Sequence, residues 1–588
     1  MDGRTANGSG WRPRPPLSRA ATARIVQLAG LFDIVTAIAP PHRARIIALS
    51  EFVPTAGMLS ARAGTAVVGM LLVYLGAGLR RGKHRAWQLA VGLAAAGVVL
   101  HLVKGLDVDA SVVSAALLGL LVVTRGQFRA IADPRSRWRA LGALLGFAAA
   151  GWALGFTEIA IRADHLAGAP GVAAWATHAA LGLIGVTGPV RFVRPLAAEA
   201  VCLTTGAFGL LAAGAATVLL LRPGSPLPRR TSADDERLRA LLSRHGGNDS
   251  LGYFALRPDK ALIWARNGQA AIAYRVVHGV CLASGNPVGI ASAWPEAIAA
   301  WLALCARHGW TPAVLGCDNT AGKAFRRAGL DVIELGDEAV VDTQTFTLDG
   351  RAMRSVRQAV TRVRRAGYTC RVVRQRDLTT AELAEAVRAA DAYRDGPVER
   401  GFSMALSRLG DPGDGDCVLV LARDGDGALR GLLQLVPWGA DGLSLDLMRG
   451  DRTAGNGLTE LMIVTAVEGA PALGVRKLSL NFAVLRSVFA RADELGAGPV
   501  LRLTRWALHG ASRLWQIESL YRSNAKYQPA WQPRYLCFPA ARELPRIAVA
   551  ALAAEAFLPI GFAPRRRAVP ERPVPLTGPA AVTLGGQP

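Results

Sequence analysis

Asp446 and Arg449 stand three residues apart at the end of an alternating run, LSLDLM, where a glycine-bearing turn begins. Arg452, Gly455 and Gly457 follow as R-x-x-G-x-G and lead into an apolar helical pattern from Leu458. The spacing predicts a strand over 443–448, a turn, and a helix whose first N–H groups have no partner in the helix. Such a start attracts anions. A carboxylate and a guanidinium beside it make a candidate reaction centre. The same spacing equally suits an ordinary turn whose glycines serve only the backbone.

These residues need a scaffold. From residue 236 onward, short β patterns alternate with helical ones, the signature of an α/β fold. The alternation occurs twice. The first pass holds KALIWA, AIAYRVV and GVCLAS, a helix from Pro295 to Arg307, the strand TPAVLG, a helix over 319–328 and a strand near Val340. The second holds CVLVLA, LRGLLQLV and LSLDLM, a helix over 458–472, and KLSLNFA. The passes predict two similar units in tandem, 236–345 and 346–545. Only the second carries the acid–arginine pair, so the chemistry is placed there. In 546–588, the stretch 547–562 is expected to form an apolar helix that lies on the membrane or packs on the core, followed by a disordered tail of about 25 residues.

The first 222 residues imply another solvent. Hydrophobic residues make up 51% of the 588, and they are concentrated before Arg222. Six apolar runs, 22–39, 62–79, 86–104, 108–124, 140–161 and 201–221, approach the roughly 20 residues that cross a bilayer. A weaker run, 172–190, lies between the last two. No small-residue cleavage site follows the basic N-terminus, so the first run is expected to remain as a span. The loops before 22, between 79 and 86, between 124 and 140, and after 221 are rich in arginine. The positive-inside rule puts them in the cytoplasm, with both termini and the C-terminal half. Residues 223–235 read as a linker. Asp33, His101 and Glu158 fall in or near spans, as functional groups or as satisfied interhelical partners. Gly/Ala-rich spans suggest close helix packing.

The net charge of +24 favours anionic partners. Much of it lies in 351–376, which holds nine arginines and no acids. Met353, Val356, Val360 and Val363 give that stretch a helical apolar stripe, and Gly367 suits its C-terminal cap. Arg354, Arg357 and Arg365 are candidates to bind a polyanion such as tRNA or an acidic lipid surface. Near the end, Tyr521, Tyr527, Trp531 and Tyr535 interleave with Arg522, Lys526 and Arg534, suiting either base stacking or a packed edge strand. The seven cysteines form no C-x-x-C pair, so neither a metal nor a disulfide framework is expected.

The motifs FTLDGRAMRSVRQAVTRVRRAGY, ERGFSMALSRLGD, LSLDLMRGD with NGLTELMI, KLSLNFA and LYRSNAKYQPAWQPRYL resemble, in order, the phosphatidylglycerol lysyltransferase (aminoacyl-phosphatidylglycerol synthase, or multiple peptide resistance factor) family. The resemblance runs from about 252 to 539. It implies a membrane α-helical bundle followed by tandem acetyltransferase-like (GNAT-like) domains in the cytosol. It also implies transfer of an aminoacyl group, lysyl by expectation, from aminoacyl-tRNA to the glycerol hydroxyl of phosphatidylglycerol, which lowers the negative charge of the membrane. No cofactor is implied. Asp446 and Arg449 match the family's acid–arginine pair, which implies that Asp446 orients or deprotonates the hydroxyl or holds the α-ammonium, and that Arg449 holds the lipid or tRNA phosphate. Glu399 is expected to meet the amino group of the aminoacyl moiety, Lys526 to hold a phosphate near the tRNA terminus, and Asn481 to line the substrate site. Many members carry an acid before that lysine, where this chain has Ala525. No appended lysyl-tRNA synthetase domain is evident, and the membrane part is shorter than in members with a full lipid flippase.

Two other readings remain at this point. R-x-x-G-x-G also resembles the pyrophosphate loop of acyl-CoA-dependent N-acyltransferases. A lipid transporter with a cytosolic binding module would be no enzyme at all.

Overall fold

The computed structural model describes residues 18–38, 55–105, 107–128, 130, 136–221, 230–394, 399, 401–484 and 522–558. The N-terminal basic arm, most of the linker at 223–235, Tyr521 and the tail beyond 558 lie outside them.

The N-terminal part is helical: α1 (Arg19–Ile38), α2 (Thr55–Arg80), α3 (His84–Gly105), α4 (Val108–Val123), α5 (Ser136–Ile161), α6 (Val172–Gly182) and α7 (Pro195–Leu220). Among the described residues, five helices are long and apolar enough to cross a membrane: α1, α2, α3, α5 and α7. The fourth expected span, α4, has 16 residues, about 24 Å at the helical rise. It still returns the chain, because Ala130 N–H donates to Gly82 O at 2.9 Å. That bond ties the segment after α4 to the start of α3. The Lys83 ammonium donates to the Leu221 carbonyl at the end of α7, so the basic loops and the exit from the last helix share one side.

Small residues let the helices approach, as expected. Gly30 and Gly69 face each other where α1 meets α2, each carbonyl filling the place of the other's missing Cβ. Asp33 and His101 are buried and joined at 3.0 Å between α1 and α3. Glu158 accepts from Thr204 at 2.9 Å between α5 and α7. These groups are interhelical partners.

The described residues between 230 and 558 build one mixed sheet. Its elements are α8 (Ser232–His245), β1 (Ala261–Trp264), β2 (Ala270–Val277), β3 (Val280–Ser284), β4 (Val288–Gly289), α9 (Trp294–His308), β5 (Thr311–Cys317), α10 (Asn319–Arg327) and β6 (Asp331–Asp342), then α11 (Arg354–Arg365), β7 (Thr369–Arg374), α12 (Thr380–Ala392), β8 (Val418–Arg423), β9 (Leu429–Trp438), β10 (Gly442–Gly450), α13 (Leu458–Gly469), β11 (Lys477–Val484), β12 (Ala530–Phe538) and α14 (Leu544–Ala554). The strand order is β1-β2-β3-β5-β12-β6-β11-β10-β9-β8-β7, with β4 on β2. The repeat is visible in two parallel crossovers, β3-α9-β5 and β10-α13-β11. The closing strands are exchanged. β6 follows β5 in the chain yet pairs with β11, whereas β12 follows β11 and pairs with β5. β6 and β12 then pair with each other at the centre.

That exchange corrects one expectation. β12 is central, and its aromatics are packed: Trp531, with Tyr527 just before the strand, joins the core of the second pass, and Tyr535 that of the first. Arg534 is buried and binds Asp249 at 2.7 Å, Glu338 at 2.5 Å and Ser250 at 2.6 Å. It is a structural cation, unavailable to phosphates.

The basic helix forms as predicted. Met353, Val356, Val360 and Val363 are buried against α13, and Gly367, at φ +87°, caps the helix. The arginines are less uniform than their sequence suggests. Arg364 pairs with Glu468, Arg371 with Glu382 and Arg376 with Asp416, counter-charges supplied by the fold. Arg357 donates to the carbonyls of Leu348 and Gly350 and so pins the preceding turn. Arg354, Arg362 and Arg365 are exposed on the side opposite the buried valines.

Candidate active site

β10 and β11 run parallel only as far as the pair Ser444–Ser479, and then both strands become irregular. β10 shifts register between Leu445 and Leu447, with Asp446 at the shift. β11 shifts between Ser479 and Phe482, where Asn481 adopts φ +70°. Irregularities of this kind re-aim side chains and end pairing. The Asn481 amide spans the opening, donating to Leu445 O at 2.6 Å.

Asp446 is therefore turned out of the ladder. Its Oδ1 accepts the N–H of Leu406 at 2.6 Å. Burial pushes its carboxyl up to about 7; the Leu406 bond and Arg257 oppose this, and the charges of Glu399 and Asp414 add to it. Glu399 accepts from Arg449 at 2.6 Å and lies 3.5 Å from Arg394. The Nε of Arg449 is buried with no hydrogen-bond partner among the described residues. The structure thus gathers Asp446, Arg449, Glu399 and Asn481 where β10 and β11 part.

A second group meets at the start of α13. Lys526 pairs with Glu460 of its first turn at 3.0 Å. Gly455 N–H lies 3.4 Å from the Tyr368 hydroxyl. Gly457 begins the helix at φ +114°, and a Cβ there would lie 3.0 Å from Val363 and 3.1 Å from Ala359 O. These glycines seat α11 against α13. Arg452 is exposed beside them.

Sequence reasoning missed what holds the loop 401–408. Glu555, just past α14, accepts from Phe402 N–H at 2.6 Å and Ser403 N–H at 3.0 Å. Arg257 donates to Ala405 O and Ser407 Oγ, both at 2.8 Å. The buried Lys260 ammonium lies 4.6 Å from the Phe402 ring centre. The loop's own sequence belongs to a family motif, but its partners lie about 150 residues away on either side and have no local signature.

A mixed sheet with an acid where two parallel strands part thus follows a bundle of apolar helices. The family model described as phosphatidylglycerol lysyltransferase, C-terminal, matches residues 239–538, and that for the transmembrane region of lysyl-tRNA synthetase matches 17–221. The chain belongs to the phosphatidylglycerol lysyltransferase family. It is 42% identical, over 93% of its own length, to the lysylphosphatidylglycerol biosynthesis bifunctional protein LysX of Rhodococcus opacus, and covers 50% of that protein. It is 52% identical to LysX of Mycobacterium marinum over 62% of this chain and 34% of the relative. The chain thus spans half or less of the curated relatives it matches. Among solved structures, L-PGS from Bacillus licheniformis shares 22% identity over 57% of this chain and 98% of that one, with a TM-score of 0.49.

Proposed function

We propose that this chain transfers an aminoacyl group, with lysyl the expected cargo, from aminoacyl-tRNA to the glycerol hydroxyl of phosphatidylglycerol. The observation that carries the reading is Asp446: a carboxyl poised near neutrality beside the Glu399–Arg449 pair, inside the family-matched region. A base with such a pKa is matched to taking a proton from a hydroxyl in neutral solution. The lipid hydroxyl oxygen attacks the aminoacyl carbonyl carbon as its proton passes to Asp446. The ester bond to the tRNA ribose then breaks, and the proton moves to the departing ribose oxygen. One ester replaces another, so the protein's tasks are positioning and charge stabilisation. The free Nε–H of Arg449 suits the transient oxyanion or the lipid phosphate. Glu399, held by Arg449 and Arg394, suits the α-ammonium of the aminoacyl group.

The exposed stripe of Arg354, Arg362 and Arg365 supports a polyanionic donor. The acyl-CoA alternative loses ground, because Gly455 and Gly457 are engaged with Tyr368 and α11. With the basic loops facing the cytoplasm, the sheet lies there too, on the side from which tRNA arrives.

The test is lipid mass spectrometry. The chain is expressed in a bacterium that makes phosphatidylglycerol but no aminoacylated lipid, beside Asp446→Ala. A new aminoacyl-phosphatidylglycerol that disappears in the variant is expected. Membranes that then make it from purified aminoacyl-tRNA, and not from acyl-CoA, identify the donor. No new lipid from a well-expressed, inserted chain would overturn the reading.

A further inference from the structure

α14 has two opposite faces. Ile547, Ala550, Ala553 and Ala554 are buried against β2, β3, β5 and β12. On the other side Pro545, Ala548, Val549 and Leu552 are exposed, Val549 by 48% and Leu552 by 44%. Spacings of three and four residues put these four on a single stripe. Nothing among the described residues covers it.

The position of the helix says what does. Arg546 donates to His278 O at 2.8 Å and to Thr311 Oγ1 at 3.0 Å, which fixes α14 on the end of the sheet. Burial and the nearby charge of Arg81 push Arg546 down to about 10. Arg81 directly follows α2, so the start of α14 stands at the ends of the membrane helices. A second contact agrees: at Gly309, behind α9, a Cβ would lie 3.0 Å from Arg81 O and 3.3 Å from the Ala130 side chain. The apolar stripe thus stands at the level where helix ends meet lipid headgroups. Arg542, exposed at its head though 4.0 Å from Glu543, adds a basic group that suits an anionic bilayer.

We propose that α14 lies in the bilayer surface, with Pro545, Val549 and Leu552 against lipid, and that it sets the sheet at a fixed height over the membrane. A short helix with one apolar face and a basic flank binds in this way, its apolar side dipping about 5–10 Å into the headgroup region. The consequence for the site is direct. Glu555 ends this helix and holds Phe402 and Ser403, so the loop that supplies the Leu406 amide to Asp446 is referenced to the lipid surface.

The test needs no activity, so its failure is separable from failure of the transfer reading. The full chain, with Cys202→Ser and Cys370→Ser, is placed in nanodiscs of phosphatidylglycerol and phosphatidylcholine. Nitroxides are attached at Val549→Cys or Leu552→Cys, with Asp426→Cys as an exposed control. Relaxation by dissolved oxygen above that by a water-soluble nickel chelate at 549 and 552, with the reverse at 426, is the expected result. Nickel access at 549 and 552 equal to that at 426 would overturn the proposal. So would shielding from both reagents, since a second copy or the chain's own C-terminal residues would then be the cover.

Discussion

The backbone N–H of Leu406 donates to Oδ1 of Asp446 at 2.6 Å, joining a loop to a strand 40 residues further on. This bond favours the ionised carboxylate, while burial favours the neutral acid. The balance leaves Asp446 near 7. A more exposed acid would be a weaker base, and a dry, unbonded one would stay protonated.

The rate of transfer is therefore expected to depend on pH through Asp446. kcat/KM should rise with pH and level off above an inflection near 7, since the base must be ionised. Asp446→Asn should abolish both the turnover and the inflection. The same group tilts stability in the other direction. Its folded pKa is raised above the ordinary 3.8, so the folded state keeps its proton longer than the unfolded chain. This contribution is fully present below about 4 and is lost as pH rises to about 7. Thermal midpoints of Asp446→Asn in detergent should lack that part of the slope. A flat rate profile from pH 6 to 8 would remove Asp446 as the base.

Arg449 and Glu399 form a charge-assisted pair at 2.6 Å that also orients the unpartnered Nε. Arg449→Lys keeps the charge but loses the planar fork. It should lower kcat/KM by at least about tenfold, or about 1.4 kcal/mol. Glu399→Gln should act mainly through the same geometry, so the double variant should lose less than the two single losses together. Strictly additive losses would separate the two residues.

Asp446 and Arg449 could be picked out of the sequence because a strand ending in an acid, an arginine and a glycine turn is a local pattern. The buried stripe of α11 and its Gly367 cap were legible for the same reason. The exchange of β6 and β12 was not, since strand pairing is decided by contacts across some 200 residues that leave no periodicity. Arg534 shows the cost. Beside Tyr527 and Trp531 it resembles a phosphate ligand, and only the sheet reveals that Asp249 and Glu338 enclose it. Composition cannot separate a buried cation from an exposed one. Asp33 and His101 were visible as polar groups in spans, whereas their bond to each other was not.

Arg534→Met should accordingly be a stability variant. Removing one partner of a buried ion cluster leaves uncompensated charge and costs about 3–5 kcal/mol. Denaturant midpoints should fall sharply, and a double change with Glu338→Gln should recover part of the loss. A fold of unchanged stability that merely binds tRNA less tightly would instead return Arg534 to the nucleic-acid surface.

The arginines of 351–376 should divide into two classes. Arg354→Gln and Arg365→Gln remove exposed charges and should weaken tRNA binding, each reducing the slope of log affinity against log salt by about one. Arg357→Gln frees the turn at 348–350 and should lower stability with less effect on that slope. Binding isotherms at several salt concentrations, set beside melting curves, distinguish the classes. Equal slopes for all three variants would deny the stripe its role.

Glu555 is a positioning residue, acting on the chemistry only through the loop it holds. Its two carboxylate oxygens accept from Phe402 and Ser403, and its carbonyl accepts from Gly401 at 3.2 Å. Glu555→Gln keeps one acceptor but turns an NH2 toward the other amide. That should cost about 1.5–3 kcal/mol of local hydrogen bonding. The loosened loop should present the Leu406 amide less well, and two effects follow. kcat should fall by about tenfold or more, with KM for the lipid nearly unchanged. The inflection of the rate profile should also move to higher pH, because the Leu406 bond is what pulls the Asp446 carboxyl down. A purely structural role for Glu555 would reduce the amount of folded enzyme without moving that inflection. A titration that keeps its midpoint near 7 in Glu555→Gln would therefore break the link between the C-terminal helix and the site.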